Sequence, residues 1–148
     1  MAVLPVASVR ARVAAAVDAI AGWSESRWLW DWLPLAEPSV YAHLHFAVGV
    51  AETTIAGVEG SRVTRGADGA MVTTRVVVRW LYRLRADAVV ADYDAMLAAE
   101  QALLVALAGV AMTDLHLRPQ AMRRTTVGDG TWSINDVTIA AIHRLAIQ

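Results

Sequence analysis

Two histidines, His43 and His45, stand two residues apart in the run HLHFAVGV, a spacing that puts both rings on one side of an extended strand. Such a pair is half of a transition-metal site. A zinc ion would need a third and fourth ligand, such as His116, His143 or Glu52, brought in by the fold. The competing reading is a pair of partly exposed polar positions. No ligand-spacing motif favours the metal, so no metal and no cofactor are expected. Nucleophilic catalysis finds no support either: there is no G-x-S-x-G elbow and no cysteine. Glycines 60, 66, 69, 128 and 130 form no phosphate loop, and the chain has no lysine to complete one. Asp92 and Asp94 flank Tyr93 at a predicted helix start, where carboxylates suit the helix dipole better than they suit a catalytic dyad. The chain is therefore not expected to be an enzyme.

Chemistry of another kind is offered by MVTTRVVVRWLYRLR, residues 71–85. Strict alternation predicts one long strand. Val72, Thr74, Val76, Val78, Trp80, Tyr82 and Leu84 face one way, and Thr73, Arg75, Val77, Arg79, Leu81, Arg83 and Arg85 the other. Arginines interleaved with Val77 and Leu81 suit a surface that meets something. One reading is a solvated face with salt bridges to Glu52 or Glu59. The other is contact with an acidic surface of an adjacent subunit, or with a channel carrying DNA. Single-strand-binding modules set basic residues beside exposed aromatics, whereas Trp80 and Tyr82 fall on the opposite face here. Sequence-specific nucleic-acid reading is not expected. The candidate interface residues are Arg75, Arg79 and Arg83 on this face, and Glu52, Arg62 and Arg65 on the arm that precedes it.

A second candidate is WSESRWLWDWLPLAEPSVY, residues 23–41. Four of the six tryptophans lie there, and Trp28, Trp30 and Trp32 share a side of an extended chain. They could close the core as a lid, or anchor a partner as buried aromatic hot spots do. Pro34 and Pro38 interrupt regular structure.

These residues need a scaffold. A chain of 148 residues is predicted to be a single domain spanning 1–148, large enough to bury a core without metal or disulfide staples. A hydrophobic fraction of 57% and a mean hydropathy of +0.43 exceed what one small core consumes, and burial in an assembly is the natural use of the surplus. No apolar run reaches the length of a membrane span. The opening MAVLPVASVRAR places apolar residues before arginines, the wrong order for a signal peptide. All 13 basic residues are arginine and the net charge is −1, which excludes a bulk-basic nucleic-acid binder.

Periodicity then supplies the elements. Ser8 is predicted to cap a helix from Val9 to Ala21, closed by Gly22. A strand over residues 40–50 continues into a hairpin arm, with turn chemistry in Arg65-Gly66-Ala67-Asp68-Gly69. A second helix begins near Val89 to Asp92, capped by Asp87 or Asp92, with a stripe of Tyr93, Met96, Leu97, Leu103, Leu104 and Leu107. Glu100 falls inside that stripe, at its edge or paired with an arginine, and Gly109 ends the helix. A strand over residues 114–123 holds Pro119, which implies an edge position or a bulge. Val127-Gly128-Asp129-Gly130 turns into a last strand from Trp132 to Ile147. The expected fold is α+β: an antiparallel sheet of about four strands with two helices packed on one face, in the order α-β-β-α-β-β, with a long β-hairpin arm.

This layout resembles the tail terminator proteins of long-tailed bacteriophages and phage-like particles, also called minor tail or tail-completion proteins. The resemblance is carried by VRARVAAAVDAI ahead of HLHFAVGV, by an arm, by TTRVVVRWLYRL leading into DYDAMLAAEQALLVAL with its D-Y-x-x-x-x-x-x-E pattern, and by GTW before the last strand. It implies a structural virion protein located at the tail or neck and assembled in the host cytoplasm. Six subunits would form a ring that caps the head-proximal end of the tail tube, stops polymerisation and joins the head connector. The implied partners are further copies of the chain, the major tail tube protein and the head–tail connector protein. DNA would pass through the lumen unread, and no membrane is involved. Gene-transfer agents use similar subunits. The alternatives are another neck component of such a particle, a small His-metal enzyme or ligand-binding domain, and a monomeric adaptor docking through Trp28, Trp30 and Trp32.

Overall fold

A computed structural model describes residues 3–26, 42–55, 69–110 and 114–146. The elements run α1 (Val6–Asp18), β1 (Ser24–Glu25), β2 (His45–Ile55), β3 (Ala70–Arg83), α2 (Val89–Ala108), β4 (Leu115–Val127) and β5 (Trp132–Leu145). The fold is α+β with two helices, as the periodicity implies. The sheet differs in detail. It has five strands in the order β1-β2-β3-β5-β4, and it is mixed, because the two-residue β1 pairs parallel with the start of β2. Nothing in the alternation of Ser24-Glu25 marks a strand. Its pairing is fixed by Trp23, which is buried against Phe46 and Trp80 and draws its neighbours onto the sheet edge.

α1 begins one turn before the predicted Ser8 cap. Pro5, in extended conformation, occupies the cap position and makes no side-chain cap bond. The start is set from outside the helix: Leu4 N–H donates to the Arg144 carbonyl at 2.8 Å, and Val3 bridges Arg144 in parallel. The chain enters the helix straight from this clip, and proline's fixed φ suits the entry. The helix closes at Asp18, short of Gly22. α2 starts at Val89 as expected, but its cap residue is Ala88, with no side-chain cap bond. Neither Asp87 nor Asp92 caps it. Asp92 turns back instead to Arg85.

The core lies between one sheet face and both helices. Val9, Val13 and Val17 of α1 and Met96, Leu103 and Leu107 of α2 pack with Phe46, Val48, Val76, Val78, Trp80, Leu115, Val137, Ile139 and Ala141. The buried ridge of α2 is centred a step away from the predicted stripe. Tyr93 is exposed, and Leu97 and Leu104 are only partly covered. Glu100 is buried within that ridge and ion-paired with Arg124.

Two bulges decide which side chains reach which face. In β2 the register slips between Val50 and Glu52, so Glu52 sits opposite Arg75, and Thr53 sits opposite Thr74 on the core side. Without the extra residue Glu52 would point at the helices. Thr53, itself exposed, thereby joins a chain that runs inward to the buried Thr74 and His143: the hydroxyls of Thr53 and Thr74 lie 3.1 Å apart and Thr74 Oγ1 lies 2.8 Å from His143 Nε2. His143 Nδ1 lies 2.9 Å from the Leu4 carbonyl, an acceptor, so Nδ1 donates to it. In β4 the slip between Pro119 and Ala121 sends Arg123 to the open face and Arg124 to Glu100. Pro119 thus lies both on an edge strand and at a bulge, as its chemistry requires. The predicted turn between β4 and β5 forms with positive φ at Gly128, Asp129 and Gly130.

Candidate functional site

Both helices cover one face of the sheet, and the opposite face carries the arginine row. Register places its members in cross-strand lines. Arg75 lies beside Glu52 on one strand and beside Ala140 and then Arg118 on the other side. Arg79 neighbours Ala47, Asp136 and, beyond it, Arg123. Leu81 neighbours Ile134 and Thr125, and Arg83 neighbours Trp132 and Val127. Residues opposite one another share a face, so among the described residues six arginines (Arg75, Arg79, Arg83, Arg118, Arg123 and Arg144) share this surface with two carboxylates, Glu52 and Asp136.

The row is not uniform. Arg79 is held by Asp136 in a two-pronged ion pair, Nε to Oδ1 at 2.7 Å and Nη2 to Oδ2 at 2.9 Å, with both side chains largely covered. Arg75 reaches Glu52 at 3.4 Å with both groups about half exposed. Such an exposed pair contributes at most about 1 kcal/mol. Arg83 is exposed and has no carboxylate partner among the described residues. Between the charges runs an apolar strip. Ala47 and Leu81 are buried beneath Trp132 and Ile134. At the level of the two bulges the face dips into a shallow depression of about 270 Å³ lined by Glu52, Thr54, Thr73, Arg75, Gln120 and Ala140.

The predicted site residues are therefore brought together in part. Arg75, Arg79, Arg83 and Glu52 share one face. Arg62 and Arg65, and with them the tip of the arm, lie outside the described residues, as do Trp28, Trp30 and Trp32. Trp23, the first member of the tryptophan cluster, is a core residue 4.9 Å from the Trp80 ring. Arg85 does not continue the row, since β3 ends at Arg83. Sequence reasoning missed Asp136, Trp132, Ile134 and Arg123. The first three were legible, because the alternation that faces Val137 and Ile139 to the core must face them away. Arg123 was hidden by the bulge, which inverts the parity of β4.

The histidines are dispersed. His43 lies in a turn before β2, so it shares no strand face with His45, and Leu44 between them has a positive φ. His43 meets the Tyr82 ring edge-on at 4.4 Å, and its Nδ1 accepts the Arg83 N–H at 3.2 Å. His143 is consumed in the buried chain. Among the described residues no three His, Asp or Glu side chains gather as a metal site.

Beside His43, a cleft of about 370 Å³ is lined by His43, Tyr82, Arg83, Arg85 and Asp92. Asp92 accepts from the Arg85 guanidinium at 2.9 and 3.0 Å and from its backbone N–H at 2.7 Å. These bonds hold its pKa at about 2, against an ordinary 3.8. Burial pushes His43 down and Tyr82 up. A carboxylate with a depressed folded-state pKa adds stability that is complete above its unfolded value and is lost as pH falls through its folded one. Asp92 therefore contributes fully above about pH 4 and progressively less toward about pH 2. In Asp92→Asn the thermal midpoint should be lower at neutral pH, and its decline between pH 4 and 2 shallower. An unchanged acid limb would show that the Arg85 pair is absent in solution.

No protein-family model matches this chain, and no curated protein matches it. No helix among the described residues is long and apolar enough to cross a membrane.

Proposed function

We propose that this chain is a structural subunit of a phage-like tail, a terminator whose copies form a ring of about six that caps the tail tube and joins it to the head connector. The observation that carries this reading is the open sheet face, where an apolar strip under Trp132 and Ile134 is interleaved with an arginine surplus and no element of the described chain covers it. An α+β layer with both helices on one face and an arginine-rich surface on the other suits a subunit more than a free-standing domain. The β2–β3 hairpin, paired out to Ile55 and Val72, supports an arm reaching a neighbouring subunit or the tube. DNA crossing the lumen needs only a positive lining, which the arginine surplus supports.

The test is native mass by light scattering across concentration, with negative-stain images of the same fractions. A discrete ring is the expected outcome, and a stable monomer at every concentration would sink it. Arg83→Glu is the informative substitution on the face, since that side chain is exposed and reversal leaves no buried charge. It should weaken assembly about tenfold or more without moving the unfolding midpoint. Arg79→Glu is a poorer probe, because it sets two carboxylates side by side at Asp136 and destabilises the fold itself.

A further inference from the structure

We propose that the cleft beside His43 is a binding site for a small monoanionic carboxylate. The site does not depend on the ring reading. The cleft is about 370 Å³ in volume and is lined by His43, Tyr82, Arg83, Arg85 and Asp92, a size within the range of small-molecule sites. It forms where the turn ahead of β2, the end of β3 and the first turn of α2 meet.

Its polar groups are unbalanced toward donors. Asp92 is buried and already accepts three hydrogen bonds from Arg85. The Arg85 guanidinium spends only its Nε–Nη2 edge on that carboxylate. Nη1 makes no bond among the described residues and the side chain is 64% exposed, so the Nη1–Nη2 edge stands open. His43 Nδ1 accepts the Arg83 backbone N–H at 3.2 Å. In the neutral ring the proton is then on Nε2, a donor that has no acceptor among the described residues. Partial burial lowers the His43 pKa from 6.5, which keeps the ring neutral at pH 7. Burial raises the Tyr82 pKa, so the hydroxyl keeps its proton. Arg85, His43 and Tyr82 thus offer three donor groups to oxygen acceptors that the cleft itself does not supply.

Charge selects the ligand. With His43 neutral, the lining sets two arginines, Arg83 and Arg85, against the one carboxylate of Asp92. Asp87 lines a neighbouring hollow and not this one. A single negative charge closes the balance. A carboxylate brings it on two coplanar oxygens that match the open edge of a guanidinium. A phosphate monoester would bring close to two charges at pH 7 beside Asp92, more than the lining offsets. The wall next to these donors is aromatic, with the His43 ring edge-on to Tyr82 at 4.4 Å. That wall suits an apolar body behind the carboxylate.

The probe is benzoate, titrated against the full-length chain at pH 7 by saturation-transfer NMR, with acetate and inorganic phosphate as competitors. Benzoate should bind with a dissociation constant of about 1 mM or tighter. Excess acetate should displace it more effectively than the same excess of phosphate. Arg85→Lys keeps the charge but loses the fork, and should weaken binding about tenfold. That change also touches the Asp92 pair, so Tyr82→Phe is the second variant. It keeps the ring against His43 and Trp80, removes only the hydroxyl, and should weaken binding about fivefold at an unaltered unfolding midpoint. The proposal is overturned if benzoate gives no saturable signal up to about 20 mM, or if both variants bind it as wild type does. Phosphate displacing benzoate better than acetate does would overturn the carboxylate assignment. None of these outcomes turns on assembly, so the cleft and the ring reading stand or fall separately.

Discussion

Arg124→Ala will destabilise the fold by about 2 to 4 kcal/mol, measured by urea unfolding. Glu100 lies in the buried ridge of α2 with its side chain 6% exposed, and its only ion-pair partner among the described residues is Arg124 on β4. Arg124 Nε donates to Glu100 Oε2 at 3.1 Å, and Nη2 makes the second prong to Oε1. The guanidinium's pKa is raised by that hydrogen bond. Removing it strands a carboxylate beneath the helix. The cost of breaking a fully buried pair is about 3 to 5 kcal/mol, and the lower range applies because Arg124 is a third exposed and water reaches it. The pair is not a source of stability relative to an apolar core. Glu100→Leu combined with Arg124→Leu should therefore return most of the loss, and the double-mutant cycle should give a strong coupling. If Arg124→Ala costs less than 1 kcal/mol, the carboxylate has found water and the α2–β4 packing is looser than described.

Trp80→Ala should cost about 3 to 5 kcal/mol. The side chain is fully buried on a central strand, 4.9 Å from the Trp23 ring and edge-on to Tyr82 at 6.2 Å. Its cross-strand neighbours are Phe46 and Asn135. The cavity would open where β1 is held, so β1 should detach with it. Trp80→Phe should lose much less. The indole Nε1 is a buried donor with no acceptor among the described residues, and phenylalanine removes that donor along with part of the area. Denaturant midpoints of the two variants give the comparison. Equal losses would mean that Nε1 has an acceptor worth as much as the missing ring.

What was legible in the sequence follows from periodicity. β3, α2, the β4–β5 turn and the core parity of β5 all announce themselves, since alternation and turn glycines act locally. Three features escaped. β1 has no local signal, and its pairing depends on where Trp23 is buried. The start of α1 is fixed by Leu4 and Arg144, 140 residues apart, which no window can see. The bulges in β2 and β4 each add one residue to a run whose composition still reads as continuous strand, yet they exchange the faces of everything beyond them. The candidate site was read accordingly: its β3 members from alternation, its β4 members not at all.

The outer edge of β4 has a consequence for how copies can meet. Thirteen residues of edge strand, exposed over most of their length, would ordinarily template the backbone of another chain. Pro119 cannot donate there, the bulge at Gln120 breaks the spacing of the remaining donors, and Arg118 and Arg123 add like-charge repulsion between two such edges. Strand-to-strand growth, which has no natural end, is disfavoured. A ring of the proposed kind would then be joined through side-chain surfaces, whose angle fixes a finite number of members. Restoring a donor with Pro119→Val would bring back the open-ended route, with fibres as its product.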